Sequence, residues 1–91
     1  MDAVSCTVRI ASPFRSYTLG AASVTADGVT LHEILVNLDR RFPGIRFRMI
    51  DEQDHIRPHM RLFVNTSEAK MLSQPVRAGD TVHVICALSG G

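Results

Sequence analysis

The chain has 91 residues, enough for one hydrophobic core and not for two, and its 45% apolar and 21% charged content is ordinary for a globular domain. Ten basic residues against nine acidic ones leave a net charge of +1, so there is no electrostatic footprint for nucleic acid or a membrane surface. No apolar run reaches membrane-spanning length. The stretch Met1 to Ser5 lacks the basic and apolar regions of a signal peptide, and a cytoplasmic location is expected.

Nine of the ten basic residues are Arg, with Lys70 the exception. Arg suits bidentate carboxylate pairing at protein contacts, although a compositional bias of the source explains the excess equally well. Cys6 and Cys86 sit in separate strand-like runs and form no CxxC pair, so neither zinc nor a redox motif is indicated. Two reduced, buried thiols are expected.

Val4, Cys6, Val8 and Ile10 alternate with polar residues, the period of a half-buried strand. Ser12-Pro13 breaks it, and Phe14 and Tyr17 follow in a segment suited to covering an edge. A weaker strand over Ala22–Ala26 ends at the turn pair Asp27-Gly28 and completes a hairpin. Next comes the best-signalled element, a helix. Thr30 is its N-cap and Glu33 completes a capping box, while Val29 and Ile34 occupy the positions of a hydrophobic staple. Leu31, Ile34, Leu35, Leu38 and Phe42 form one buried stripe, and Pro43-Gly44 stops the helix. A single striped helix needs a sheet to bury it.

Between Ile45 and Met60 the pattern fits a short strand and a helical turn equally. Asp51 to His55 reads as a solvated loop rather than a metal site, because no second ligand cluster completes one. Met60–Asn65 is strand-like, with Leu62 and Val64 on one face and Phe63 on the other beside Arg61. Asn65-Thr66-Ser67-Glu68 is turn chemistry. Met71, Leu72, Pro75 and Val76 make an irregular apolar connector. Ala78-Gly79-Asp80 then turns into a last strand, with Val82, Val84, Cys86 and Leu88 on one face and Thr81, His83, Ile85 and Ala87 opposite. The first and last runs are the cleanest alternators, which predicts that they lie side by side, central and parallel. Cys6 and Cys86 would then sit too far apart for a disulfide.

The last run leads directly into Leu88-Ser89-Gly90-Gly91. A glycine pair is costly to order, so it adds little as structure. Its physical advantage is slimness: without Cβ atoms it threads a narrow channel. The plain alternative is a frayed terminus.

Taken together, Thr30-Leu31, Leu38 with Phe42-Pro43-Gly44, Phe63-Val64-Asn65, the turn Pro75 to Val82 and the tail Leu88 to Gly91 make the chain similar to a known family. It resembles the ubiquitin-like β-grasp sulfur carriers: the molybdopterin synthase small subunit, the thiamine-pathway carrier and a carrier of one route to cysteine. The first twenty-five residues match by pattern only. The loop Asp51 to His59 is longer than in the shortest members, which disfavours the thiamine type.

The resemblance implies an α+β fold over residues 1–91, a mixed sheet of four to five strands on one main helix, with a flexible tail at about residues 88–91. It implies a carrier rather than an enzyme, with no catalytic residue, no metal and no permanently bound cofactor. A ubiquitin-activating-like adenylyltransferase would use ATP and Mg²⁺ to activate Gly91. A sulfur donor protein would then leave a thiocarboxylate there, for delivery to an acceptor biosynthetic enzyme. Gly90, Ser89 and Leu88 would thread the partner's channel. Phe63, Ile85, Ala87 and Arg61 are the expected partner surface, and His32, His59 and His83 are expected to face solvent. The alternatives are a molybdopterin synthase small subunit, a ubiquitin-like modifier forming isopeptide bonds, and a plain interaction module.

Overall fold

A computed structural model describes residues 4–87. Five strands form one sheet: β1 (Ser5–Arg9), β2 (Ser23–Asp27), β3 (Met60–Val64), β4 (Ser67–Ala69) and β5 (Thr81–Cys86), in the order β2-β1-β5-β3-β4. The first and last strands are neighbours and run parallel, as the sequence predicts, with Thr7 opposite Thr81 and Val8 opposite Val82. Every other pairing is antiparallel. β2 begins one residue later than its pattern suggests.

The main helix, α1 (Leu31–Arg41), buries Leu31, Ile34, Leu35 and Leu38 completely. Each contributes roughly 1.5–3 kcal/mol relative to exposure. Its partners across the core include Cys6 and Val8 of β1, Leu62 and Val64 of β3, and Val82 and Val84 of β5.

The orphan amides of the first three residues of α1 are all satisfied from outside the helical ladder. Leu31 and His32 donate to the Gln74 and Leu72 carbonyls of the β4–β5 connector, and the bond from Ile34 to the Thr30 carbonyl opens the helical ladder. Glu33 donates to Thr30 Oγ1 at 3.2 Å, while its own carboxylate accepts from the Val29 amide at 2.9 Å. The capping box is thus present in a shifted form, its return bond reaching the amide before the cap rather than that of Thr30. The hydrophobic staple is not a seal, since Val29 stays 49% exposed; the connector's carbonyls fix the entry to the helix instead.

The ambiguous stretch after Pro43 is a short helix, α2 (Ile45–Met49). Ile45 and Met49 stand four apart and are both buried, whereas Phe47 is 55% exposed. Gly44 precedes it at φ +98°, a conformation that suits glycine. Asp39 Oδ1 accepts from the amides of Gly44 and Arg46, both at 3.1 Å, so one carboxylate of α1 caps α2.

The stretch read as a turn, Asn65 to Glu68, is only half turn. Asn65 and Thr66 make a tight link, with Asn65 at φ +55°, and Ser67–Ala69 pairs back on β3 as the edge strand β4. At the opposite edge, Asn37 Nδ2 donates to the Asp27 carbonyl at 2.7 Å, and Arg41 Nη1 donates to the Thr25 carbonyl. Two helix side chains thus cover β2. Among the described residues, no helix is long and apolar enough to cross a membrane.

Candidate functional site

β5 holds the third place of five in the sheet and carries the chain toward its tail. Its start is tightly fixed. Asn65 Oδ1 accepts from the Thr81 amide and Asn65 Nδ2 donates to Asp80 Oδ1, each at 3.0 Å, while Asp80 Oδ2 accepts from the Arg77 amide at 2.9 Å. These bonds, the Asn65 side chain first and the Arg77 amide next, hold the Asp80 carboxyl below its ordinary range. Cys6 Sγ donates to the Arg77 carbonyl at 3.2 Å. Burial pushes that thiol up, and the Asp80 and Asp27 carboxylates add to the effect, so Cys6 is a structural group rather than a nucleophile. Cys86 is only half-buried, which corrects the expectation of two buried thiols. Both are free, and their positions along the parallel strands separate them by on the order of 20 Å.

Strand register decides what the outer face presents. Arg61 pairs with Ile85, and Phe63 with both His83 and Glu68. Since the alternate residues Leu62, Val64, Val82 and Val84 are buried, this second set points away from α1. Ile85 is 44% exposed and Phe63 is half-buried. The Arg61 guanidinium lies 5.5 Å from the Phe63 ring centroid, which partly covers the aromatic face. Arg61 also grips Glu68 through two bonds, Nε to Oε2 at 3.0 Å and Nη2 to Oε1 at 2.7 Å, with Lys70 Nζ 3.4 Å from Oε1. That fork holds the Glu68 carboxyl down at about 2.

Three of the four residues expected to meet a partner, Arg61, Phe63 and Ile85, are therefore brought together on one face. Ala87 is exposed just beyond the strand, and its amide donates to the His59 carbonyl at 2.7 Å. Leu88, Ser89, Gly90 and Gly91 lie outside the described residues. Glu68 was missed at the sequence level because Asn65-Thr66-Ser67-Glu68 reads as turn; only the β3–β4 register reveals its pairing. His32 and His59 are exposed and His83 is half-buried. No group of three His, Cys, Asp or Glu residues suited to holding a metal ion occurs among the described residues. The face combines an apolar centre, Phe63 and Ile85, with the Arg61–Glu68 ion pair at its flank.

A sequence model of the ThiS family matches residues 8–91, a span that includes the tail. The sulfur carrier protein CysO of Mycobacterium tuberculosis is 29% identical over 93 residues, covering 97% of this chain and 100% of that protein. Among solved structures, the CysO complex with BexX from Amycolatopsis orientalis superposes with a TM-score of 0.88 at 31% identity, over 94% of this chain and 99% of that one. M. tuberculosis CysO gives a TM-score of 0.86 at 27% identity, over 91% and 99%. The five-stranded sheet and main helix are thus those of the ubiquitin-like β-grasp fold.

Proposed function

Since the chain belongs to the ThiS family, we propose that it is a sulfur carrier whose Gly91 carboxylate is adenylated and then converted to a thiocarboxylate. The observation that carries this reading is the family match running through Gly91, in a chain whose last described strand, in the middle of the sheet, ends at Cys86, five residues earlier in sequence.

The chemistry follows from the carboxylate. As a free anion it is a poor acyl donor. Attack of its oxygen on the α-phosphate of ATP releases pyrophosphate and forms an acyl adenylate, with Mg²⁺ held by the activating protein. Hydrosulfide handed over by a donor protein then attacks the acyl carbon, the C–S bond forming as the C–O bond to AMP breaks, and loss of its proton leaves the thiocarboxylate. That group stays anionic at neutral pH and is a soft nucleophile. The carrier contributes neither general base nor oxyanion hole; its partners do.

The outer face around Phe63 and Ile85, with Arg61 and Ala87, is the surface we assign to the activating protein. The structure of a related CysO with BexX supports the idea that such carriers act by docking on other proteins. Full-length likeness to CysO favours a free-standing carrier over a fixed synthase subunit.

The test is incubation with ATP, Mg²⁺, a sulfide source and a candidate activating protein, followed by intact mass. A gain equal to sulfur replacing oxygen on the C-terminal peptide is expected. Absence of both an AMP adduct and a sulfur gain with every activating protein encoded beside carriers of this family would sink the reading.

A further inference from the structure

At the end of the molecule where β5 finishes, segments far apart in sequence converge. β1 runs parallel to β5, so the turn that follows β1, Ser12–Phe14, comes to that end; β3 runs antiparallel, so its first residue, Met60, sits opposite Cys86. Phe14, Phe47, Arg48, Arg57, His59 and Cys86 together line a cavity of about 400 Å³ beside the point where Ala87 is fixed to His59. We propose that the outer part of this collar, the exposed Phe47, Arg48 and His59 with the half-buried Arg57, is a docking surface for an acidic segment at the mouth of the enzyme channel that receives the tail. The proposal rests on Gly91 being the loaded residue.

Reach is the first argument. Four residues separate Ala87 from Gly91, and a chain spans at most ~3.6 Å per residue, so the tail extends no more than roughly 14 Å from Ala87. Any active site that handles the Gly91 carboxyl must bring its rim down to the ground from which the tail rises. That ground is the collar, whose Arg57 also borders the neighbouring hollow lined by Arg61 and Glu68.

Charge and preorganisation decide what the rim must be. Arg46 is already matched by Asp54 at 3.1 Å, and Asp51, near enough to Arg57 to feel its charge, commits its carboxylate to the amides of Gln53 and His55 within its own loop. Neither Arg48 nor Arg57 has an ion-pair partner among the described residues. Arg57 is nevertheless held in place. Its amide donates to the Met49 carbonyl at 2.9 Å, its Nε to the Phe47 carbonyl at 2.7 Å, and its guanidinium lies 4.4 Å from the Phe47 ring centroid. Both Nη groups are left without a bond among the described residues. A guanidinium fixed through Nε and stacked on an aromatic loses little freedom when its free end meets a carboxylate, which gives it specificity for Asp or Glu. The 55% exposed Phe47 beside it adds an apolar contact.

Two measurements test this separately from the sulfur chemistry. In the first, ¹⁵N-labelled full-length protein is titrated with an N-acetylated hexaglutamate peptide at low ionic strength. Amides of Phe47, Arg48, Arg57 and His59 are expected to shift saturably, and Arg48→Glu with Arg57→Glu to abolish the shifts. Shifts spread equally over Arg9, Arg40 and Arg77, or none that saturate, overturn the proposal whether or not Gly91 accepts sulfur. The second compares the carrier concentration giving half-maximal sulfur loading or release. It should rise roughly tenfold in the double variant, as loss of a close charge pair predicts, and stay within about twofold in the remote control Arg40→Glu. Equal values for wild type and double variant overturn the proposal. A wild type that never loads defeats the reading of Gly91 instead, leaving the peptide titration to decide the collar's chemistry. If the double variant melts below wild type, Arg48→Glu alone, which breaks no internal bond, replaces it.

Discussion

The amide of Ala87 donates to the carbonyl of His59 at 2.7 Å, so the strand that leads to the tail is tied at its far end to the segment entering β3. Its near end is tied by Asn65 to Thr81 and Asp80. β5 is thus clamped at both ends as well as flanked on both sides, and whatever lies beyond Ala87 starts from a defined point.

Deletion of Gly90 and Gly91 should separate folding from function. The buried core runs from Cys6 to Val84, and the deletion removes none of it, so the melting temperature should stay within about 1 °C of wild type. Sulfur loading should vanish. Calorimetry and intact mass on the same preparation check this, and a loaded truncation would show that Gly91 is not the acceptor.

Substituting Ile85→Ser tests the outer face. Ile85 is 44% exposed, and surface strand changes of this kind alter stability by no more than roughly 1 kcal/mol. The activating protein, by contrast, should require several-fold more of the variant to reach half-maximal rate. An unchanged requirement would remove this face from the interface.

Gly28→Ala probes the corner between β2 and α1. Gly28 sits at φ +155°, and an added Cβ would lie 2.8 Å from both Glu33 Cβ and the Ile34 backbone nitrogen. The nitrogen belongs to the first turn of α1 and cannot move without disturbing its caps. A loss of about 1–3 kcal/mol in urea unfolding is expected, and wild-type stability would mean the corner is looser than its geometry.

Glu68 sets an acid limit. Its carboxyl titrates at about 2 in the fold against an ordinary 4.5, chiefly because Arg61 grips it. A depressed folded value stabilises the protein above the unfolded one, so this contribution is intact above pH 4.5 and fades as the pH falls toward about 2. Asp80 is shifted the same way and fades in acid too. Glu68→Gln should therefore melt below wild type at neutral pH and show a shallower decline in acid, the two curves converging near pH 2. Parallel curves across that window would mean that the Arg61–Glu68 fork adds nothing to stability.

Much of the fold was legible because single residues carried unambiguous signals. Thr30 and Glu33 mark the start of α1, the stripe from Leu31 to Leu38 gives its face, and β1 and β5 alternate cleanly. The stretch at Ile45 defeated pattern reading because Ile45, Phe47 and Met49 satisfy a period of two, while the first and last also satisfy a helical spacing of four. What decides between them is Asp39, a cap supplied from the preceding helix. β4 was hidden because Ser67 and Glu68 are turn-forming types whose strand geometry comes from pairing with β3. The tail stood out in the sequence itself. The collar could not, since Phe14, Phe47, Arg57 and Cys86 become neighbours only through the parallel placement of β1 and β5.

The covering of β2 by Asn37 and Arg41 has a consequence for behaviour in a crowded cell. An open strand edge is a template along which further copies add, the first step toward fibrils. Here the Thr25 and Asp27 carbonyls are already occupied, and the opposite edge, Ser67–Ala69, is only three residues long. Lateral growth finds little purchase on either flank, which disfavours ordered aggregation when the protein is concentrated.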